Sequence, residues 1–148
     1  EVTTEGGLDV SRNEDYLKTI VTKLKAAKIP VSLFIDPIDI QITSSARINS
    51  DWIEIHTGNY AEANFLGQDK ELAKIKEATL IAKSKGLRVN AGHGLTYQNV
   101  EPIASINGIY ELNIGHTIIS RSIAIGLKDA VKEMKELIGN PRSEMIFG

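Results

Sequence analysis

The feature that most limits how this chain can fold is a repeated unit. Four short apolar segments, each carrying β-branched or aromatic residues, alternate with segments of helical periodicity. Strands that alternate with helices pair in parallel and are joined by right-handed crossovers, which defines an α/β protein. The four segments are Val31–Ile35, Trp52–His56, Leu87–Ala91 and Tyr110–Ile114. A helix precedes the first of them, over residues 11–28. In that stretch Ser11 to Glu14 fits a capping box, Leu17, Ile20, Val21 and Leu24 share one face, and Pro30 marks the stop. Ile38, Ile42 and Ala46 mark a short helix after the first strand. Leu72, Ile75, Thr79 and Ala82 stripe a longer one, closed by Gly86. A brief helix follows near Val100 to Ile106, and the strongest apolar stripe runs through Leu127, Ala130, Val131, Met134 and Ile138.

Each strand ends in a polar or glycine-rich cluster: Asp36; His56-Thr57-Gly58; Asn90 to Gly94; Asn113 to His116. A parallel sheet gathers these C-terminal ends on one rim, where barrel enzymes and open α/β enzymes alike hold their chemistry. Element order alone leaves the choice between an open sheet and part of a closed eight-stranded barrel. The 148 residues suffice for one domain, with no linker or low-complexity tract, and residues 141–148 read as a loose tail.

Composition narrows the function classes. Apolar residues make up 42% and charged residues 24%, with a net charge of −2 and the two signs interspersed, so no broad basic face for nucleic acid is expected. The absence of cysteine excludes disulfides and thiolate chemistry. The longest apolar run, around Val31 to Ile35, falls far short of the roughly 20 residues that span a bilayer. The first residues, Glu1 to Glu5, carry neither the basic start nor the apolar run of a signal peptide. They also lack a starting Met, as in a chain processed, truncated or numbered from an internal point.

Several residues at the strand ends are candidates for chemistry. His93 stands between Gly92 and Gly94; an imidazole there has room for a ligand and can pass a proton near neutral pH, or it is a loop histidine facing solvent. A backbone N–H at Gly94 can reach an anion. Gly115-His116 opens a helix, whose N-terminus suits a phosphate, or else it is a turn glycine and a cap. Glu54 shares a strand face with Trp52 and His56. On spacing alone, a structural carboxylate bonded to Asn90 or Arg88 is the leading reading, and Glu111 reads the same way. Thr3 lies in a polar opening segment, Thr3 to Gly7, that suits a sugar or phosphate as readily as a free end. The three histidines form no compact ligand motif, so no metal is expected.

Taken together, five stretches resemble the pyridoxine 5′-phosphate synthase family. They are Glu1–Val10, Val31–Asp36, Ile53–Gly58, Val89–Tyr97 (Val-Asn-Ala-Gly-His-Gly-Leu-Thr-Tyr) and Glu111–His116, in the family's order and over nearly the whole chain. The resemblance implies that residues 1–148 are the C-terminal half of a single parallel (β/α)₈ barrel, supplying about its last four strands. It implies condensation and ring closure of 1-deoxy-D-xylulose 5-phosphate with 3-amino-2-oxopropyl phosphate, giving pyridoxine 5′-phosphate, inorganic phosphate and water. No metal or organic cofactor, a cytoplasmic homo-octamer, and no nucleic-acid or membrane partner go with it. Residue by residue, it makes His93 the general acid and Glu54 the carboxylate that steadies developing positive charge. Thr3 becomes a contact to deoxyxylulose phosphate, and Gly94, Gly115 and His116 contacts to the aminoketone or product phosphate. The family's remaining catalytic residues belong to strands that match nothing here. The alternative is therefore a catalytically incomplete half-barrel that binds phosphorylated ligands or pairs with a missing half. A Schiff-base lyase or aldolase is disfavoured, because no Lys stands at any of the four strand ends.

Overall fold

The structure is a computed structural model and describes residues 6–139, apart from the side chain of Phe65. Four parallel strands form one sheet in sequence order: β1 (Ser32–Ile35), β2 (Trp52–His56), β3 (Arg88–Gly92) and β4 (Ile109–Asn113). The helices are α1 (Glu14–Ala26), α2 (Asp39–Arg47), α3 (Gly58–Glu62), α4 (Phe65–Ser84), α5 (Val100–Ala104), α6 (His116–Ile125) and α7 (Leu127–Gly139). The parallel α/β reading therefore holds. Both outer strands, β1 and β4, carry an unpaired edge among the described residues.

The sheet has one apolar and one mixed face, as the two-residue period dictates. Leu33, Ile35, Ile53, Ile55, Val89 and Ala91 are buried and form the core with Ile42 of α2 and Ile75, Ala78 and Ala82 of α4. Val21 of α1 completes it, with Leu17 and Leu24 packed beside it. The other face carries Phe34, Trp52, Glu54, Asn90 and Tyr110. There the Arg88 guanidinium lies 4.9 Å over the Trp52 ring, and Tyr110 meets Trp52 edge-on at 5.2 Å. A register shift between Val89 and Asn90 makes room for Tyr110 in β4.

The helix ends repeat one device. After α1, the Lys28 N–H donates to the Lys25 carbonyl and the Ile29 N–H to that of Leu24, with Lys28 at φ 61°. The same pair of bonds follows α2, around Asn49 at φ 63°, and α4, around Gly86 at φ 79°. These are Schellman ends, each requiring one residue in the left-handed region. Helix α1 thus ends at Ala26, with Lys28 as the left-handed residue of its Schellman end, before Pro30 can act.

The expected capping box does not form. Asn13 is the N-cap of α1 and makes no side-chain cap bond. The Ser11 hydroxyl instead donates to Asp9, and the Arg12 N–H donates to the same carboxylate oxygen. Glu14 is drawn away to Arg47 of α2, at 3.0 Å. After β4 come two helices separated at Gly126 (φ 84°), and the apolar stripe expected from Leu127 lies on the second, α7. Of its predicted stripe, Ala130 and Met134 are buried, whereas Leu127 and Val131 are exposed. Among the described residues, no helix is long and apolar enough to cross a membrane.

Candidate active site

All four strands finish at one rim, and the loops leaving β3 and β4 enclose a cavity of about 520 Å³ there. Its lining includes Phe34, Glu54, His93, Gly94, Asn113, Gly115 and His116. The sequence candidates Glu54, His93, Gly94, Gly115 and His116 therefore meet in one place, although they come from three different segments. Thr3 and the tail at 141–148 lie outside the described residues.

Glu54 owes its position to a strand two places along the sheet. Its Oε2 accepts a 2.7 Å hydrogen bond from the Asn113 side chain of β4, so its partner is neither Asn90 nor Arg88. Gly92 of β3 makes this possible. A Cβ there would stand 2.6 Å from Glu54 Oε1 and 2.8 Å from the Asn113 carbonyl oxygen, closer than real Cβ atoms come. The glycine is needed for space, and the carboxylate reaches across β3 through the gap it leaves.

His93 sits in a loop held from two sides. Thr57, fully buried, donates through its hydroxyl to the carbonyls of both Gly92 (2.8 Å) and His93 (2.6 Å), and its N–H also donates to Gly92. Farther along, Asn99 donates to the Gly94 carbonyl and accepts from the Thr96 N–H, while the Tyr60 hydroxyl donates to the Asn99 carbonyl. Burial of Tyr60, with a smaller effect from Asp69, raises its pKa and so keeps that hydroxyl a donor. Within this frame His93 adopts φ 88°, a conformation that costs a side-chain-bearing residue of order 1–3 kcal/mol and persists only where the surroundings impose it. Gly94 follows at φ 73°, with Ala61 of α3 where its Cβ would be.

Across the cavity, Gly115 caps α6 and His116 is its first residue. Among the described residues, nothing lies within 4 Å of the point where a Cβ on Gly115 would sit, and His116 is exposed. The first turn of α6 thus faces open space with the unbonded N–H groups that any helix start leaves. Glu111, the other strand carboxylate, is exposed and stands beside Asn90 in the register. Among the described residues, no group of three or more His, Asp or Glu side chains is arranged to hold a metal ion.

Sequence reasoning passed over one pair at the rim. His56 is 5% exposed, and its Nδ1 lies 2.9 Å from Asp36 Oδ1. The signal was available: Ile35 pairs with Ile55 in the register, so the next residues, Asp36 and His56, leave adjacent strands side by side.

A carboxylate, an imidazole and a helix N-terminus around one cavity at the C-terminal strand ends define a parallel α/β enzyme-type site. The family described as "Pyridoxal phosphate biosynthesis protein PdxJ" matches residues 1–140, and the chain belongs to that family. Among its curated relatives, a pyridoxine 5′-phosphate synthase of Prochlorococcus marinus is 62% identical over all 148 residues. One from a Synechococcus species is 56% identical, also over the whole chain. The chain spans about 60% of the length of each of these relatives.

Proposed function

We propose that this chain carries part of the active site of a pyridoxine 5′-phosphate synthase. In this reading residues 1–148 supply the last four strands of a single (β/α)₈ barrel, and the strands before them carry the rest of the site. The reaction joins 1-deoxy-D-xylulose 5-phosphate to 3-amino-2-oxopropyl phosphate and closes the pyridine ring, releasing inorganic phosphate and water. The observation that carries the proposal is the shared cavity: Glu54, His93 and the start of α6 line one space of about 520 Å³. Loss of phosphate and water needs a proton donor near the leaving oxygen, the role of His93. Imine and aldol-type steps develop positive charge, which the fixed Glu54 carboxylate steadies without having to reorganise. Gly94, Gly115 and His116 hold the aminoketone or product phosphate, with the N-terminal N–H groups of α6 suited to an anion. Thr3 contacts deoxyxylulose phosphate. The same reading makes the protein a cytoplasmic homo-octamer that needs no metal or organic cofactor.

The unpaired edges of β1 and β4 favour one second reading: without its partner strands the chain only binds phosphorylated ligands.

The test of the catalytic reading is His93→Asn in the complete protein. Asn tolerates positive φ, so the fold and phosphate binding persist, while product formation falls by about 10²-fold or more, the scale of general acid catalysis. Near-normal turnover removes His93 from the mechanism.

A further inference from the structure

One titratable pair at the rim, buried His56 and half-buried Asp36, has no task in the reaction as proposed. His56, the last residue of β2, is 95% buried by the measure of its 5% exposure. Its Nδ1 is bonded to Asp36, but its Nε2 is buried with no hydrogen-bond partner among the described residues. A buried imidazole nitrogen without a partner is costly, and such atoms concentrate where function requires them. The ring lies edge-on to two neighbours: Phe34, with centroids 5.1 Å apart, and His93, with centroids 4.8 Å apart and planes at 64°.

Two glycines exist to permit this arrangement. A Cβ on Gly58 would come 2.5 Å from His56 Nε2 and 3.1 Å from His93 Cδ2, so only glycine lets the two rings approach at the start of α3. On the far side, the Gly7 N–H donates to Asp36 Oδ1 at 3.1 Å. A Cβ on Gly7 would stand 2.3 Å from the Asp36 nitrogen. The chain before α1 is thus pressed against the end of β1, and the carboxylate is held from behind.

We propose that Asp36 and His56 are positioning residues for His93, an inference that rests on the reading of His93 as the proton donor. An ionised carboxylate only accepts hydrogen bonds, so the His56 Nδ1 must carry a proton and donate it to Asp36. That bond sets the rotation of the His56 ring and, in its neutral form, leaves the lone pair on Nε2. The fixed ring is a wall for His93, which is already held through its backbone by Thr57. Thr57 fixes where the loop lies; His56 fixes where the imidazole of His93 points. Placement matters on this scale, because an error of about 1 Å in a reacting group can cost about 10²-fold in rate.

The experiment uses the complete protein with the two phosphorylated substrates and the variants His56→Phe and Asp36→Asn. Phe keeps the ring volume and its edge-on packing but removes the bond to Asp36, whereas Asn is nearly isosteric with Asp and removes the charge. The expected result for both is a fall in kcat of about 10-fold or more with KM changed by less than about twofold. In nitrogen-15 NMR spectra of the histidine rings, the His56 Nδ1–H signal of the parent is lost in His56→Phe and displaced in Asp36→Asn. The His93 ring signals move in both. A parent-like kcat in a folded Asp36→Asn protein, with His93 signals unmoved, overturns the inference and leaves the His93 assignment standing. Parent-like turnover in His93→Asn overturns that assignment, and the positioning role with it.

Discussion

Where the strands begin, Asp51 accepts hydrogen bonds from the Lys25 ammonium at 2.8 Å and from the Val31 N–H at 2.9 Å, and Lys25 also donates to the Asn49 carbonyl. Buried Ser50 donates its hydroxyl to Val31 and Trp52 carbonyls, and three helices arrive through the same Schellman end. Where the strands finish, a buried imidazole nitrogen lacks a partner among the described residues and His93 sits at positive φ. Two side chains there fit only because the residues opposite them have none. One end of the sheet satisfies these polar groups between the segments that enter β1 and β2 and repeats a standard turn. The other holds its groups in costly positions by contacts brought in from neighbouring strands. Division of labour of this kind is general for parallel α/β folds, where the N-terminal face serves stability and the C-terminal face serves chemistry.

The comparison can be broken by substitutions at either end. The largest effect is expected at Gly92→Ala in the complete protein. The added Cβ displaces Glu54 or Asn113, so turnover falls by about 10²-fold, while overpacking lowers stability by about 1–3 kcal/mol. Full activity in steady-state assays of this variant would mean that the position of Glu54 is not critical.

Asp51→Ala is the counterpart at the other end. It should lower stability by about 1 kcal/mol at neutral pH, since the ion pair is only partly shielded and the Val31 N–H loses its partner, and it should leave kcat unchanged. Hydrogen bonds from Lys25 first, and then from the Val31 N–H, hold the Asp51 pKa below its ordinary 3.8. A depressed carboxylate pKa contributes stability above the unfolded value and loses it as the pH falls through the folded one. The gap between parent and Asp51→Ala should therefore be full at pH 7 and shrink below about pH 4. Urea denaturation across that range measures it, and a gap independent of pH would contradict the electrostatic account.

The smallest effect is expected at Lys28→Gly. Lys28 is exposed and at φ 61°, so glycine should relieve strain, raise stability by about 0.5–1 kcal/mol and leave turnover alone. A thermal midpoint that falls would show that the lysine side chain stabilises this turn in ways its geometry does not reveal.

The strands were legible because each is an apolar run closed by polar residues. The expected β2, Trp52 to His56, is the observed one to the residue. The helix stripes that face the core were legible for the same reason, as Ile75, Thr79 and Ala82 are all buried. Most of what escaped the sequence depended on partners far along the chain. A capping box at Ser11 to Glu14 is sound locally, but Asp9 captures Ser11 and Arg47 captures Glu14. Gly58 looks like the end of a strand, yet it also begins α3 and makes room for two imidazole rings. The alternation of Glu54 predicted its face but not its partner, because Asn113 reaches it across an intervening strand. The cavity residues could be nominated from the sequence and expected on one rim; the loops after β3 and β4 shape the space between them.

The contact between Gly92 and Glu54 also bears on how such a site can change over generations. A carboxylate in this position at residue 54 requires the missing side chain at position 92, whereas the glycine is required by the Asn113 carbonyl as well. A lineage that filled position 92 would displace Glu54 and press on the Asn113 carbonyl as well, so the gap stays closed to a side chain even where the acid is lost. Divergence at this rim is therefore expected to run in one order, with the acid surrendered before the glycine.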